Sequence, residues 1–336
     1  MDLKTLTEIN APSGHEQAIR RFLLDELKKL GFAPVLDRMG NVVVVKEGTG
    51  DAPRKRVMVS AHMDEVGLIV TSATEDGYLR IAAAGGIDPR VLVSKRVTVG
   101  EDKLPGVIGA VPIHLQSAAE RKHVLSMDEL LVDIGAKNKD EAERKAPMGT
   151  YISFDTPYVE YGDGFACGKA FDDRVGCLSL LRLLQEELPV DLVACFVSEE
   201  EVGCRGAKGA AFQQEPDIGI VLEGTTCNDL GDTPETAHVC EAGQGVAVSF
   251  MDGASIANRA LFRKALDVAK QENIPHQVKH SVSGGNDGGA IQRAREGVPV
   301  VVLSVPCRYI HSPSSVVKLS DVESQFALVK ALVKAL

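Results

Sequence analysis

The feature that most constrains this chain is a repeated one: apolar runs that stop at carboxylates or imidazoles. Asp191–Val197 (DLVACFV) is almost wholly apolar and has the length of a strand buried on both faces. It runs into Ser198-Glu199-Glu200-Glu201-Val202-Gly203. Arg56–Ala61 (RVMVSA) ends in His62-Met63-Asp64, Asp217–Leu222 (DIGIVL) in Glu223, and Pro299–Ile310 (PVVVLSVPCRYI) in His311. A glutamate run in isolation reads as a solvated acidic turn. Four runs ending this way place two imidazoles and several carboxylates along the carboxyl edge of one sheet, where open α/β folds bind ligands. Nitrogen and oxygen donors of this kind suit divalent Zn, Co or Mn.

The segments between these runs supply the rest of an α/β fold. His15–Leu30 carries Ile19, Phe22, Leu23, Leu27 and Leu30 on one stripe and closes at Gly31, which predicts an amphipathic helix with His15 as a capping or surface residue. Asn41–Val45 and Arg56–Ala61 read as strands. From about Val66 the texture changes to short alternating runs (GLIVTSA, YLRIAAA, RVTVG, GVIGAV) punctuated by Gly, Pro and Asp, with helices expected only at Met127–Ile134 and Lys139–Arg144. The α/β pattern resumes near Gly168. Helices are expected at 174–187, 205–213, 261–272 and 322–336, and the βαβ order makes the strands at 191–197 and 217–222 parallel. The reading is an α/β domain interrupted by a β-rich insertion of about ninety residues. The turn Ser283-Gly284-Gly285-Asn286-Asp287-Gly288-Gly289 lacks the Walker spacing and a following Lys-Ser/Thr, so it reads as a tight loop near the site and not as a phosphate cradle.

Composition narrows the function. The 336 residues are 44% hydrophobic, enough for a large core, and carry a formal net charge of −10, which argues against nucleic acid or an anionic membrane as the main partner. The start, MDLKTLTEI, is charged and amphipathic, not a signal peptide, and no apolar run approaches the ~20 residues of a membrane span. Seven scattered cysteines without a C-x-x-C pair fit reduced thiols and a cytoplasmic location. Trp is absent, so stacking platforms for bases or sugars are sparse.

Two ions sharing a water need about five protein ligands, one bridging, and a free carboxylate to take the water's proton. His62 and His311 can each supply an imidazole. Asp172, in Asp172-Asp173, can bridge with its two oxygens. If the extended conformation continues past Val197, neighbouring glutamates point to opposite sides, one to metal and one to substrate. Asp64, two residues after His62, falls on the same side and can orient the imidazole. Each residue alone has an ordinary reading: His62 as a polar strand-end residue, Asp172-Asp173 as a helix N-cap, Glu223 as a surface turn residue. The set carries the argument.

At these residues the sequence resembles the tetrahedral aminopeptidases, metallopeptidase family forty-two, which also holds glutamyl aminopeptidases and proteins once labelled endoglucanases. The matching motifs are Ser60-Ala61-His62-Met63-Asp64-Glu65-Val66-Gly67, Gly168-Lys169-Ala170-Phe171-Asp172-Asp173-Arg174, Glu200-Glu201-Val202-Gly203-Cys204-Arg205-Gly206-Ala207 and Arg308-Tyr309-Ile310-His311-Ser312. Gly85–Arg90 and Gly106–Leu115 match more weakly. The resemblance implies an αβα phosphorylase/hydrolase-like catalytic domain in two parts, 1–66 and 161–336, around an inserted barrel-like dimerisation domain, 67–160. It implies two divalent metal ions per subunit, and a dimer building block assembling toward a dodecamer. Carried over, His62, Asp172 and Glu223 hold one ion, and Asp172, Glu201 and His311 the other. Glu200 is the general base, Asp64 orients His62, Glu199 stays outside, and Asp173 is structural, pairing with Arg174 or a backbone N–H.

The sequence departs from the family where Glu223 stands in place of a commoner Asp, and where Asn286-Asp287 replaces Thr-Asp. His114 matches a loop of the insertion and is suspected to reach a neighbouring active site. The expected function is a dimetal aminopeptidase acting on short peptides. The alternatives are a carboxypeptidase or amide deacylase on the same site, a glycosidase working through paired carboxylates, and a scaffold that has lost its chemistry.

Overall fold

Alternation along four valine-rich strands decides the architecture. The computed structural model describes residues 2–336. In it Asp191–Val197, Arg56–His62, Ile218–Thr226 and Val300–Arg308 lie side by side in that order, all parallel. Strand residues point alternately to the two faces, so both faces need a cover of helices. Leu192, Ala194 and Phe196 join Val57, Val59 and Ala61 in one core, under the helices Gln17–Lys29, Phe171–Leu183, Arg259–Gln271 and Leu319–Lys334. Val193, Cys195 and Val197 join Met58 in the other, under Arg205–Gln214 and Asp287–Gln292. The second core is lined by Ala207, Ala210, Ala211, Ala290 and Ala294, small residues that let these two short helices sit close to the sheet. Antiparallel strands finish the sheet, with Val42–Lys46 beside Asp191–Val197 and Ser315–Lys318 beside Val300–Arg308.

The inserted β-rich segment closes on itself. Gly67–Ala73, Leu79–Ala84, Leu131–Asp133, Leu104–Gly109, Arg96–Val99 and Tyr151–Phe154 form a six-stranded barrel in that cyclic order. Its interior is a separate core built on Leu68, Leu79, Val97, Ile108, Val132 and Phe154. The helix expected over Met127–Ile134 is not there. Met127–Glu129 is a single 3-10 turn and Leu131–Asp133 is a barrel strand. Val132 faces the core while Leu131 and Asp133 do not, a period of two that a short apolar run cannot announce.

The junction between barrel and sheet is pinned by charge. Glu65 is buried and takes the Lys169 ammonium at 2.7 and 2.8 Å, while its backbone pairs with Ala11 and Ser13. Arg174, fully buried, donates to the carbonyls of Met63, Ile9 and Leu6. The chain therefore leaves His62 along a fixed path. His15 stacks on Tyr151 of the barrel, with ring centroids 5.0 Å apart. No helix among the described residues is long and apolar enough to cross a membrane.

Candidate metal centre

The carboxyl edge of the parallel strands gathers the acidic and imidazole side chains. Register pairs Val197 with His62, so the chain leaving Val197 turns beside that imidazole. It does not stay extended. Glu199 adopts a left-handed backbone (φ 55°), and the Glu200 carbonyl accepts from the amides of Gly203 and Cys204. This turn, not a continued strand, separates Glu200 from Glu201. Glu223 lies inside the strand Ile218–Thr226, three residues before its end, and not past it. Asp172 precedes the regular turns of its helix, and His311 follows its strand with φ 55°.

Five side chains meet there in two groups that share one carboxylate. His62 Nε2 lies 3.3 Å from Asp172 Oδ1 and 3.6 Å from Glu223 Oε2. His311 Nε2 lies 3.4 Å from Asp172 Oδ2 and 3.2 Å from Glu201 Oε2. Each oxygen of Asp172 thus faces a different imidazole–carboxylate pair. Donor atoms of His62, Asp172 and Glu201 fall within 4.8 Å of one another, as do those of His62, Asp173 and Glu223. In the second group Asp173 is already committed. Its Oδ2 accepts from the His62 amide at 3.1 Å and its Oδ1 from the Gly176 amide at 3.0 Å. That is the backbone role expected for it, and its neighbour Arg174 pairs elsewhere.

Electrostatics argues that this cluster is built for cations. Burial raises the carboxyls of Glu200, Glu223 and Glu201, the last to about 8 even against the pull of His311. Burial opposes charge on the imidazoles too, yet Asp172 wins, lifting His62 well above its ordinary value and His311 to about 9. Asp172, buried but hydrogen-bonded to both imidazoles, is held below the usual carboxylate range. Glu223 Oε1 is buried with no hydrogen-bond partner. Converging buried carboxylates with an orphaned oxygen are costly unless positive charge compensates them. Two divalent ions fit the donor set, which is wholly nitrogen and oxygen.

Asp64 does more than the sequence suggests. Its carboxylate accepts from the Glu200 amide at 3.1 Å, the Glu201 amide at 3.2 Å and the Ser13 hydroxyl at 2.7 Å. Its carbonyl accepts from His62 Nδ1 at 3.2 Å, and its Oδ1 lies 3.5 Å from the same nitrogen. One buried residue thus fixes the imidazole and the glutamate turn together. Glu199 points away and pairs with Arg205 at 3.2 Å. His114 sits exposed on the barrel, between the exposed Ile113 and Leu115.

A cavity of about 140 Å³ opens onto the cluster, lined by Asp172, Glu200, Glu223 and His311 and, across from them, by Ser283–Asn286 and Lys279. The glycine turn is therefore a wall of the site, as its sequence suggested. Lys279 was not foreseen. It is buried, its ammonium donates to the Ser283 carbonyl at 3.3 Å, and no carboxylate of the described residues pairs with it. Ser13 and Cys204 were also missed as neighbours of the site, and Asp287, expected at its rim with the glycine turn, lies against Glu200 and Cys204.

Comparison with known proteins agrees with this geometry. Residues 40–328 match the family model described as M42 glutamyl aminopeptidase. A putative aminopeptidase of Acetivibrio thermocellus is 35% identical over 99% of this chain and 97% of its own length. The structure of an aminopeptidase from the archaeon Desulfurococcus kamchatkensis superposes with a TM-score of 0.93 at 32% identity, covering 99% of this chain and 94% of that one. The Pyrococcus horikoshii TET1 peptidase, described as assembling into a tetrahedron or a large octahedral shell, gives a TM-score of 0.87 at 32% identity over 99% and 98% of the two chains.

Proposed function

This chain belongs to the M42 glutamyl aminopeptidase family, and on that premise we propose how its residues divide the work of a dimetal aminopeptidase. It removes N-terminal residues from peptides. His62, Asp172 and Glu223 hold one divalent ion, and Asp172, Glu201 and His311 the other. The observation that carries this is the Asp172 carboxylate, whose two oxygens face two separate imidazole–carboxylate pairs. Zinc and cobalt suit the donors best, and manganese is compatible with them. Ions held there supply a water acidic enough to lose a proton near neutral pH and positive charge for the scissile carbonyl.

The protein's own groups do the rest. Glu200, on the cavity wall beside Asp172, takes the water's proton on its carboxylate and hands it to the leaving amine. Burial keeps its carboxyl above the ordinary glutamate value, which suits a group that must both accept and return a proton. Asp64 holds the His62 ring and the Glu200–Glu201 turn in place. Glu223 Oε1, free of protein donors, accepts from the substrate's α-ammonium and so restricts the enzyme to free N-termini. Lys279, a buried cation in the same cavity, favours an acidic N-terminal side chain.

We take residues 67–160 as the dimerisation domain and the dimer as the unit of a larger homo-oligomeric shell. The assembly described for TET1 supports this, as do the exposed Val111, Ile113 and Leu115 on the barrel.

The test is a panel of free and N-acetylated aminoacyl p-nitroanilides, with chelator-stripped enzyme reloaded with Zn, Co or Mn. Metal-dependent cleavage of the free-amine substrates alone is expected. Release of p-nitroaniline from the acetylated set would instead make this an amidase that needs no free N-terminus, and release of acetate without p-nitroaniline would make it a deacylase.

A further inference from the structure

Around the proposed base lies a second cluster whose other two members, a thiol and a carboxyl, the dimetal reading does not use. We propose that Glu200, Cys204 and Asp287 form a third cation site, selective for thiophilic divalent ions such as Zn²⁺ or Cd²⁺, whose filling withdraws Glu200 from catalysis.

Donor atoms of these three residues lie within 4.8 Å of one another. None of the three is among the four side chains grouped around Asp172's two oxygens. Cys204 Sγ sits 3.3 Å from Glu200 Oε1, so the thiol donates directly to the carboxylate. Asp287 is the second, independent observation. It is 1% exposed, and both of its carboxylate oxygens are buried with no hydrogen-bond partner. Its neighbour Asn286 already caps the short helix Asp287–Gln292, through the Gly288 amide at 2.9 Å, and also donates to Asp252. Capping therefore does not account for Asp287. A doubly unsatisfied buried carboxyl calls for a partner, and the groups it faces are an acid and a thiol.

The chemistry selects the ion. A thiolate with two carboxylates supplies three negative charges in a confined space, enough to hold a divalent ion, and the sulfur favours Zn or Cd over Mg or Ca. Tetrahedral zinc sets its donors about 3.5 Å apart, so small side-chain shifts close the site. Binding releases the thiol proton, and any proton on the carboxyls, to solvent. Cys204 is half-buried and lines a separate cavity of about 890 Å³ with Gly203, Asn286 and Ala290. An ion can thus arrive without passing through the substrate chamber.

The inhibitory half rests on Glu200 being the base; the binding half does not. The test starts from holoenzyme carrying two equivalents of Zn²⁺ and titrates in Cd²⁺, reading the ultraviolet thiolate-to-cadmium charge-transfer band and the rate together. The dimetal donors contain no sulfur, so displacement there gives no band. One further equivalent is expected to bring up the band while the rate falls by about tenfold or more. Cys204→Ser abolishes the band, Asp287→Asn weakens Cd²⁺ binding by about tenfold or more, and Cys167→Ala leaves the band in place. A band that survives in Cys204→Ser, or no extra equivalent bound by folded wild type, overturns the site. A band without loss of rate overturns the inhibition, and places the fault in the role of Glu200. An enzyme inactive in every metal state still answers for the site through its band.

Discussion

Gly224 lies flush against Asp172. Its amide donates to Asp172 Oδ1 at 3.2 Å, and a methyl group on its Cα would stand 3.0 Å from Asp172 Cβ and 3.1 Å from Oδ1. The shared carboxylate is thus positioned by a residue that has no side chain. Gly224→Ala must push Asp172 by a few tenths of an ångström, toward one imidazole pair and away from the other. We expect the fold to persist and metal affinity to drop by about 10- to 100-fold, the scale for groups that support a ligand. Metal content after dialysis, with a circular dichroism melt alongside, measures both. Unchanged binding of two ions would mean that Asp172 does not bridge.

Glu200→Ala tests the base. It should cost about 10³-fold or more in kcat while two ions remain bound, because Glu200 is not among the side chains facing Asp172's two oxygens. Glu201→Ala should instead lose an ion. The two adjacent glutamates thus give opposite metal contents, read by elemental analysis. Near-full kcat in metal-loaded Glu200→Ala would remove Glu200 from the mechanism.

Much of this site was legible because parallel strands bring their carboxyl ends to one edge, and a motif at a strand end can be read without knowing the loops. His62 and His311 are of this kind. Glu223 was expected just past the end of a strand that in fact runs three residues further, to Thr226, since apolar character stops before the hydrogen bonding does. The Glu200–Glu201 split was expected from a continued strand and comes from a left-handed turn at Glu199 that no local pattern demands. The barrel's closure depends on Leu68 pairing with Ile152, a contact far apart in sequence, and Leu131–Asp133 was hidden in a run too short to show its period. Lys279 was invisible as a site residue, and Asp287 was read only as part of a loop at the rim. Their meaning comes from burial without a partner, which is a property of the fold.

Asp64→Asn separates positioning from chemistry. The asparagine keeps one acceptor oxygen but presents an NH₂ to donors that now meet a carboxylate, so an amide of Glu200 or Glu201 loses its partner. Each buried group left unpaired costs about 1–3 kcal/mol. A lowered thermal midpoint together with weakened metal binding is expected. A change in kcat alone, with stability and metal content intact, would be incompatible with the contacts to Ser13 and the glutamate turn.

Protons compete with the metals. Burial raises Glu201 to about 8, and Asp172, acting against burial, raises His311 to about 9. Below these values the metal-free groups are protonated, and an entering ion must displace those protons. Affinity at the Glu201–His311 position should therefore rise with pH up to about 9 and fall about tenfold per pH unit for each proton displaced below it. Calorimetry in two buffers of different ionisation enthalpy counts the protons released. A pH-independent affinity across this range would exclude these two groups as ligands.

Lys279 sets the last expectation. The Lys279 ammonium, in a mostly buried residue that lines the cavity, is bonded to the Ser283 carbonyl and has no counter-ion among the described residues. A glutamyl or aspartyl side chain entering the cavity supplies that counter-ion, and a lysyl side chain meets repulsion. Lys279→Met should lower kcat/KM for glutamyl substrates by about 10- to 100-fold, in line with loss of a charge-assisted contact of about 1.5–3 kcal/mol, and change leucyl substrates little. Lys279→Glu should reverse the preference toward lysyl and arginyl substrates. Because Lys279 bonds to the Ser283 carbonyl and to none of the imidazoles or carboxylates of the cluster, two ions should remain bound. If the ratio of glutamyl to leucyl turnover is the same in wild type and Lys279→Met, selectivity is set elsewhere in the cavity and this lysine serves only to hold the Ser283 turn.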